Sequence, residues 1–362
     1  MRTELPAAPV EAPPGLARRI LPKLVISLIL GGLLAWLTAR SGVAIVPTAA
    51  EGWANVAPWA IPAYSLSLLL THFLRAARFR FLIAPIKRLP LREVVLINWV
   101  GFFAIFALPL RLGEFARPAL TKLRHGVSVS AGIGTVAVER VLDGLMTSFC
   151  VAWVLFVLPR REVDDPLARA LPGYGLTALA VFVCAFLALA VFLWKRAWAV
   201  RTTERVIGLV SKGLARFLAT KVSDVADGLK TLADPRLAFG FVLETTLYWA
   251  SNAVGMWILA QGCGLELSLG QAVGVMGILA IGILLPAGPG LFGSFQLAVS
   301  LALQLFFASE IVTGVGAVYV FLLFTIQAVG IVLAGVIPLL SMRLKLADLM
   351  PRLDGLSSEG AG

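Results

Sequence analysis

The chain has 362 residues, 59% of them hydrophobic and only 14% charged, with a mean hydropathy of +0.91 and a formal net charge of +11. That balance excludes an ordinary soluble core and indicates an all-α polytopic integral membrane protein built as a helical bundle. The positive charge does not require nucleic acid as a partner, because basic cytoplasmic loops account for it.

Residues 1–20 form a Pro- and Ala-rich segment expected to be a disordered cytoplasmic leader. The apolar run Leu21 to Thr38 follows Arg18 and Arg19 and contains Lys23. A cleaved signal peptide and a retained first helix both fit this pattern, and the long leader and the membrane character downstream favour the second. Apolar segments near 21–39, 57–74, 93–109, 129–158, 173–194, 237–260, 270–286, 291–307 and 311–340 read as spanning or membrane-inserted helices of one membrane domain, 21–342. Two of them break. The stretch 93–109 runs into Pro109 and Gly113 and then a charged strip through Arg124. The stretch 270–286 runs into Pro286, Gly288, Pro289, Gly290 and Gly293 before turning apolar again. Both are expected to stop inside the membrane and return, as re-entrant hairpins over about 93–124 and 270–307.

Residues 198–233 carry Ile207, Val210, Leu214, Leu218, Val222, Val225, Leu229 and Leu232 at three- and four-residue spacing, with Lys and Arg elsewhere around the helix. This predicts an amphipathic cytoplasmic helix, lying on anionic lipid or packed on a loop or a second subunit. Residues 343–362 are expected to be a cytoplasmic tail. With the first hairpin entering from the cytoplasm and the second from outside, all Lys and Arg except Arg40, Arg140, Arg160, Arg161 and Arg169 fall inside. The positive-inside rule is then strongly obeyed and both termini are cytoplasmic, in a cell (inner) membrane. The hairpins also match each other, since Pro109-x-x-x-Gly113 and Pro286-x-x-x-Gly290 follow helices beginning near Leu91 and Leu269. This is the pattern of an inverted repeat whose broken helices hold polar cargo near the midplane. Two unrelated kinks are the alternative.

Arg111, Glu114 and Arg117 lie in the first hairpin, and Glu139, Arg140 and Asp143 interrupt the next helix. An ionisable side chain near the bilayer centre costs roughly 2.5–3.5 kcal/mol on insertion scales, so these must pair, line a wet cavity or bind something charged. Glu114 and Arg117 are three apart, as are Arg140 and Asp143, so each group can be partly neutralised within its own helix. A cluster of this kind can stay paired when empty and release an Arg to a lipid phosphate, which accepts the guanidinium fork. The alternative is an ion-pair lock between the hairpin and the 129–158 helix. In the second turn Gly288, Gly290 and Gly293 permit unusual dihedrals, either exposing amides to an anion or allowing tight helix contact. Ser294, Gln296 and Gln304 either line a polar path or bond to neighbouring helices. Glu244 is read as lying near the cytoplasmic interface, outside the cluster.

Three motifs, Arg111-Leu-Gly-Glu114-Phe-Ala-Arg117, Glu139-Arg140-Val-Leu-Asp143 and Pro286-Ala-Gly-Pro-Gly-Leu-Phe-Gly293, together resemble the lysylphosphatidylglycerol synthase transmembrane, or flippase-like, family over roughly residues 20–342. The resemblance implies lipid handling: translocation of an anionic or polyprenyl-linked lipid between leaflets, with the lipid as partner and the substrate open. Synthase members attach a soluble aminoacyl-transfer domain, whereas only about twenty residues follow the last helix here, so no transferase is expected.

An accessory protein of a lipid or glycan biosynthesis enzyme is a rival reading, and a polyprenyl-phosphate-processing enzyme a weaker one. For an enzyme the sequence offers only His72 and His125 outside any paired motif, Ser294 without an activating base, Glu51 on an early loop, and Asp164-Asp165, which reads as a solvated turn. Cys150, Cys184 and Cys263 lack ligand spacing and read as packing residues, so neither a metal nor a cofactor is expected. No Gly-x-x-x-x-Gly-Lys loop is present, so transport would need a gradient, a partner or downhill flow.

Overall fold

The computed structural model describes residues 16–40, 46–47, 53–108, 113–159, 166–195, 201, 205, 227, 234–284 and 289–342. Pro109, Arg111, Pro286 and Gly288 lie outside these residues, as do the amphipathic helix expected at 198–233 (bar three isolated positions) and the tail 343–362. The described residues are helical and contain no strand: α1 (Leu16–Arg40), α2 (Ala60–Ala77), α3 (Phe79–Ile83), α4 (Leu91–Ala107), α5 (Ala116–His125), α6 (Val129–Phe156), α7 (Pro166–Trp194), α8 (Pro235–Gly262), α9 (Leu269–Gly282), α10 (Ser294–Gln304), α11 (Ser309–Thr313) and α12 (Val315–Ser341). Every expected apolar segment coincides with a helix. The first helix begins at Leu16, inside the expected leader, and the charged strip after Gly113 is itself helical, as α5.

Side-chain caps set several boundaries. The Ser128 hydroxyl accepts the Ala131 amide and starts α6. Asp234 caps α8 ahead of Pro235, and Ser268 with Gln271 makes a capping box on α9. α5 ends on Gly126, whose φ of 69° closes the helix in the left-handed region. Among the described residues only α12 is long and apolar enough on those grounds alone to cross a membrane. The other long helices carry charged, amide or hydroxyl side chains, and those groups build the site. Large apolar side chains nevertheless face outward on several helices, among them Leu28, Ile29 and Trp36 on α1, Leu66 on α2, Phe149 on α6 and Leu340 on α12. A surface of that kind belongs against lipid rather than water.

Two antiparallel helix pairs organise the interior. α4 turns back into α5 so closely that a Cβ at Gly113 would overlap the Ala104 backbone and one at Gly101 the Arg117 side chain. At the open end of this pair Arg124 grips Glu93 through two hydrogen bonds of 3.1 and 3.2 Å. α9 turns back into α10, where Gly282 meets Ala298 and Gly274 lies near Phe306. The two tips abut, Gly290 (φ 74°) sitting against the Phe106 ring. Their open ends lie at opposite ends of the molecule. One end holds Lys87, Glu93, Arg124 and His125, and the other brings Gly270 to Trp153 and Leu158.

The order of elements repeats. With the five-residue helices α3 and α11 set aside, a long helix, a helix, a 3-10 turn, a short helix and a long helix occur as α2, α4, 113–115, α5, α6 and again as α8, α9, 289–291, α10, α12. Packing repeats as well, with α4 against α12 and α9 against α6, while α2 and α8 pack together along their length. The largest buried apolar cluster joins α2, α6, α8, α9, α10 and α12 at the end away from Arg124.

Candidate functional site

The charged residues converge on the face of α6 that looks towards α2, α5 and α8. Glu139 and Asp143 are four apart and therefore share that face. Both are buried, at 1% and 9% exposure. Arg78, in the helical junction between α2 and α3, is fully buried and binds both. Its Nη1 and Nη2 donate to the two oxygens of Asp143 at 2.8 Å each, Nη2 also donates to Glu139 at 2.9 Å, and Nη1 to the Thr245 hydroxyl at 3.0 Å. The planar fork matches the carboxylate in bidentate fashion, the strongest form of such a pair. Asp143 further accepts the Tyr248 hydroxyl at 2.7 Å and, at 3.4 Å, the Trp249 indole.

Arg117 crosses from α5 to the other side of Glu139, donating Nη1 at 2.5 Å and also to Asn98 at 2.9 Å. Asn98 is held in turn by its own donation to the Val94 carbonyl at 2.8 Å. Arg117 is 1% exposed, and its Nε and Nη2 have no hydrogen-bond partner among the described residues. Arg140 reaches back along α6 to Glu139 at 3.3 Å and Asp143 at 3.6 Å, longer contacts to carboxylates already engaged. Half-buried Glu114 lies within electrostatic reach of Arg140.

Aromatic rings enclose the cluster. The Arg78 guanidinium lies 4.5 Å from the Tyr248 ring and 5.3 Å from Phe241. Arg117 lies 5.7 Å from Phe79 and 5.8 Å from Phe102. Arg75, one turn before Arg78, sits 4.4 Å over Phe102. Ring faces and low polarizability around the charges strengthen every interaction among them.

Over residues 21–335 the chain matches the family described as the lysylphosphatidylglycerol synthase TM region. The chain belongs to that family. It is therefore a membrane protein whose function is related to lipid, which gives the outward apolar side chains and the buried charges one setting. Comparison with proteins of curated function and with solved structures found no match.

Of the residues singled out in the sequence of this family member, the structure brings together Arg117, Glu139, Arg140 and Asp143, with Glu114 close by; Arg111 lies outside the described residues. The expected pairing within single helices holds for Arg140 with Asp143. Arg117 instead bonds across to Glu139 on α6. Glu244 stands apart, paired with Arg80. In the second turn Gly290 packs on the Phe106 ring, and Gly293 (φ 85°) lies against the α1 backbone at Gly31 and Ala35. The Gln296 side chain accepts the Gly293 amide at 2.9 Å at the start of α10, and the Ser294 hydroxyl donates to the Leu291 carbonyl at 3.0 Å, tying the helix to the turn before it. Among the described residues no group of His, Cys, Asp and Glu could hold a metal.

Sequence reasoning missed Arg78, the centre of the network, together with Arg75, Asn98, Thr245 and Tyr248. The positive-inside count alone places Arg75 and Arg78 with the basic residues of the cytoplasmic side. A signal existed: His72, Arg75 and Arg78 recur every three residues at the end of an apolar run, which puts them on one face of a helix continuing inward.

Proposed function

We propose that the protein translocates an anionic or polyprenyl-linked lipid between the leaflets of the cell membrane, holding the headgroup at the arginine and carboxylate cluster. The observation that carries this reading is the charge balance. Arg75, Arg78, Arg117 and Arg140 face Glu114, Glu139 and Asp143, leaving the described cluster with an excess of positive charge in an enclosed, aromatic-lined site. A purely structural lock would settle at neutrality, because an uncompensated buried charge is costly. An anion that arrives with its own negative charge relieves that cost.

The geometry of the two helix pairs supports the same reading. They enter from opposite ends of the molecule and meet tip to tip, in two halves with matching element order, as expected of re-entrant hairpins in an inverted repeat. The end bearing Lys87, Arg124 and His125 is the cytoplasmic one by the positive-inside rule, which places both termini in the cytoplasm. The cluster then lies in the cytoplasmic half of the first hairpin.

Reconstitution tests this. Wild-type protein in vesicles carrying a fluorescent phosphatidylglycerol is expected to expose inner-leaflet probe to dithionite faster than protein-free vesicles. Arg140→Gln, a partly exposed position whose loss spares the buried bonds, is expected to slow that exchange at equal protein content. Exchange equal to protein-free vesicles, from well-folded wild type presented with anionic and polyprenyl-phosphate probes, would remove the transport reading.

A further inference from the structure

The four arginines divide into two kinds. Arg78 and Arg117 are buried at 0% and 1% exposure and make the short bonds, 2.5–2.9 Å, to Glu139 and Asp143. Those bonds, with Tyr248, use up the carboxylates. Arg140 is left with the 3.3 and 3.6 Å contacts, keeps 25% of its side chain exposed, and has a buried Nε without a hydrogen-bond partner. Arg75 makes no hydrogen bond and no ion pair among the described residues; its Nε is likewise buried and unpartnered, and it rests on the Phe102 ring. It lies within electrostatic reach of Arg140 and of Asp143 and Glu139, but neither carboxylate forms a hydrogen bond or ion pair with it. Both guanidiniums therefore keep donors that the carboxylates do not take up, and an anion beside them would supply the missing acceptors.

We propose that Arg75 and Arg140 form a two-arginine receptor for a singly charged phosphodiester, held in place by an Arg78–Asp143–Glu139–Arg117 frame that does not itself release to the ligand. Phe102 fixes Arg75 from one side by its ring face, leaving the guanidinium edge for oxygen acceptors. Among the described residues the arginines of the cluster outnumber its carboxylates, so a ligand that brings negative charge and acceptor oxygens fits it. That favours a phosphodiester headgroup with no cation of its own over a zwitterionic one. The assignment deepens the headgroup-site reading above, yet concerns binding and stands or falls separately from transport.

The test uses the full chain in detergent micelles, titrated by native mass spectrometry with palmitoyl-oleoyl-phosphatidylglycerol and with the phosphatidylcholine of the same chains. Inorganic phosphate is titrated in parallel by thermal unfolding. Wild type is expected to retain the glycerol lipid over the choline lipid. Arg75→Gln and Arg140→Gln are expected to weaken the glycerol lipid roughly ten- to a hundredfold, the range for a charge-assisted bond, while leaving the choline lipid unchanged. Arg75→Lys, which keeps the charge without the fork, is expected to recover part of the loss, and Arg92→Gln, at an exposed position, to match wild type. Stabilisation by inorganic phosphate that depends on Arg75, without glycerol-lipid retention, would keep the arginine pair and make its ligand a soluble phosphate. Unchanged glycerol-lipid affinity in a monodisperse Arg75→Gln protein would overturn the proposal, as would equal retention of the two lipids by wild type. Arg75-dependent binding with no leaflet exchange would keep this site and remove only the transport reading.

Discussion

Arg78 and Arg140 touch the same two carboxylates but differ in what their removal leaves behind. Truncating Arg78 removes the bidentate donor of Asp143 and one of the two close donors of Glu139 at a buried site, the situation that costs about 3–5 kcal/mol. Arg78→Ala is therefore expected to lower the thermal unfolding midpoint sharply and to cut the yield of monodisperse protein. Arg140→Ala loses long contacts from a quarter-exposed side chain and is expected to cost under about 1 kcal/mol. A fluorescence-detected size-exclusion melt of both variants checks this; equal midpoints would mean that the network is not the frame described. The sequence showed that Glu139, Arg140 and Asp143 sat at membrane depth, because a charge in an apolar run is visible without a structure. It did not show Arg78, because an arginine at the end of a run looks the same whether the chain leaves the membrane there or turns inward as α3. Tyr248 and Thr245 carry no charge and were invisible for that reason.

At the scale of elements, the tight turn of the first hairpin rests on glycine. A side chain at Gly113 would collide with backbone at Ala104, which cannot swing aside as the end of a flexible side chain could, so the pair must separate or the chain must shift. Gly113→Ala is expected to destabilise by about 1–3 kcal/mol, the usual range for overpacking, and Gly113→Leu to prevent proper assembly. Gly32→Ala in α1, where an added Cβ meets nothing within 4 Å, is the matched control and is expected to melt with wild type. A Gly113→Ala protein as stable as Gly32→Ala would show that α4 and α5 do not approach as closely as described. The long helices were legible, since runs of apolar residues long enough to fill lipid leave few alternatives to a helix. The helix after Gly113 was legible from the spacing of Glu114 and Arg117, whereas the short α3 was not, because five residues after Arg78 are too few to show a period.

For the whole molecule, the membrane's thickness decides between two ways of threading the same helices. α5 has 10 residues and α10 has 11. At about 1.5 Å per residue each is about 15–17 Å long, half of the roughly 30 Å hydrocarbon layer. A helix of that length covers half of the layer, and the two tips touch at Phe106 and Gly290, so in the proposed topology both hairpins turn back at mid-membrane. The expected topology follows from single cysteines introduced after Cys150, Cys184 and Cys263 are replaced. Arg88→Cys, at the basic end, is expected to react with a membrane-impermeant maleimide only in inverted vesicles, and Glu266→Cys and Ser309→Cys only in intact cells. All three positions are exposed, so burial does not mask them. The deciding position is Phe292, at the tip of the second hairpin and 38% exposed. If α9 and α10 each crossed the bilayer, the tip would emerge opposite Glu266 and label in inverted vesicles. A tip held at mid-membrane is expected to leave Phe292→Cys unreactive in inverted vesicles, with any labelling confined to the Glu266 side. Labelling of Phe292→Cys together with Arg88→Cys would turn both hairpins into ordinary spans and take away the two-sided architecture on which alternating access of a headgroup depends.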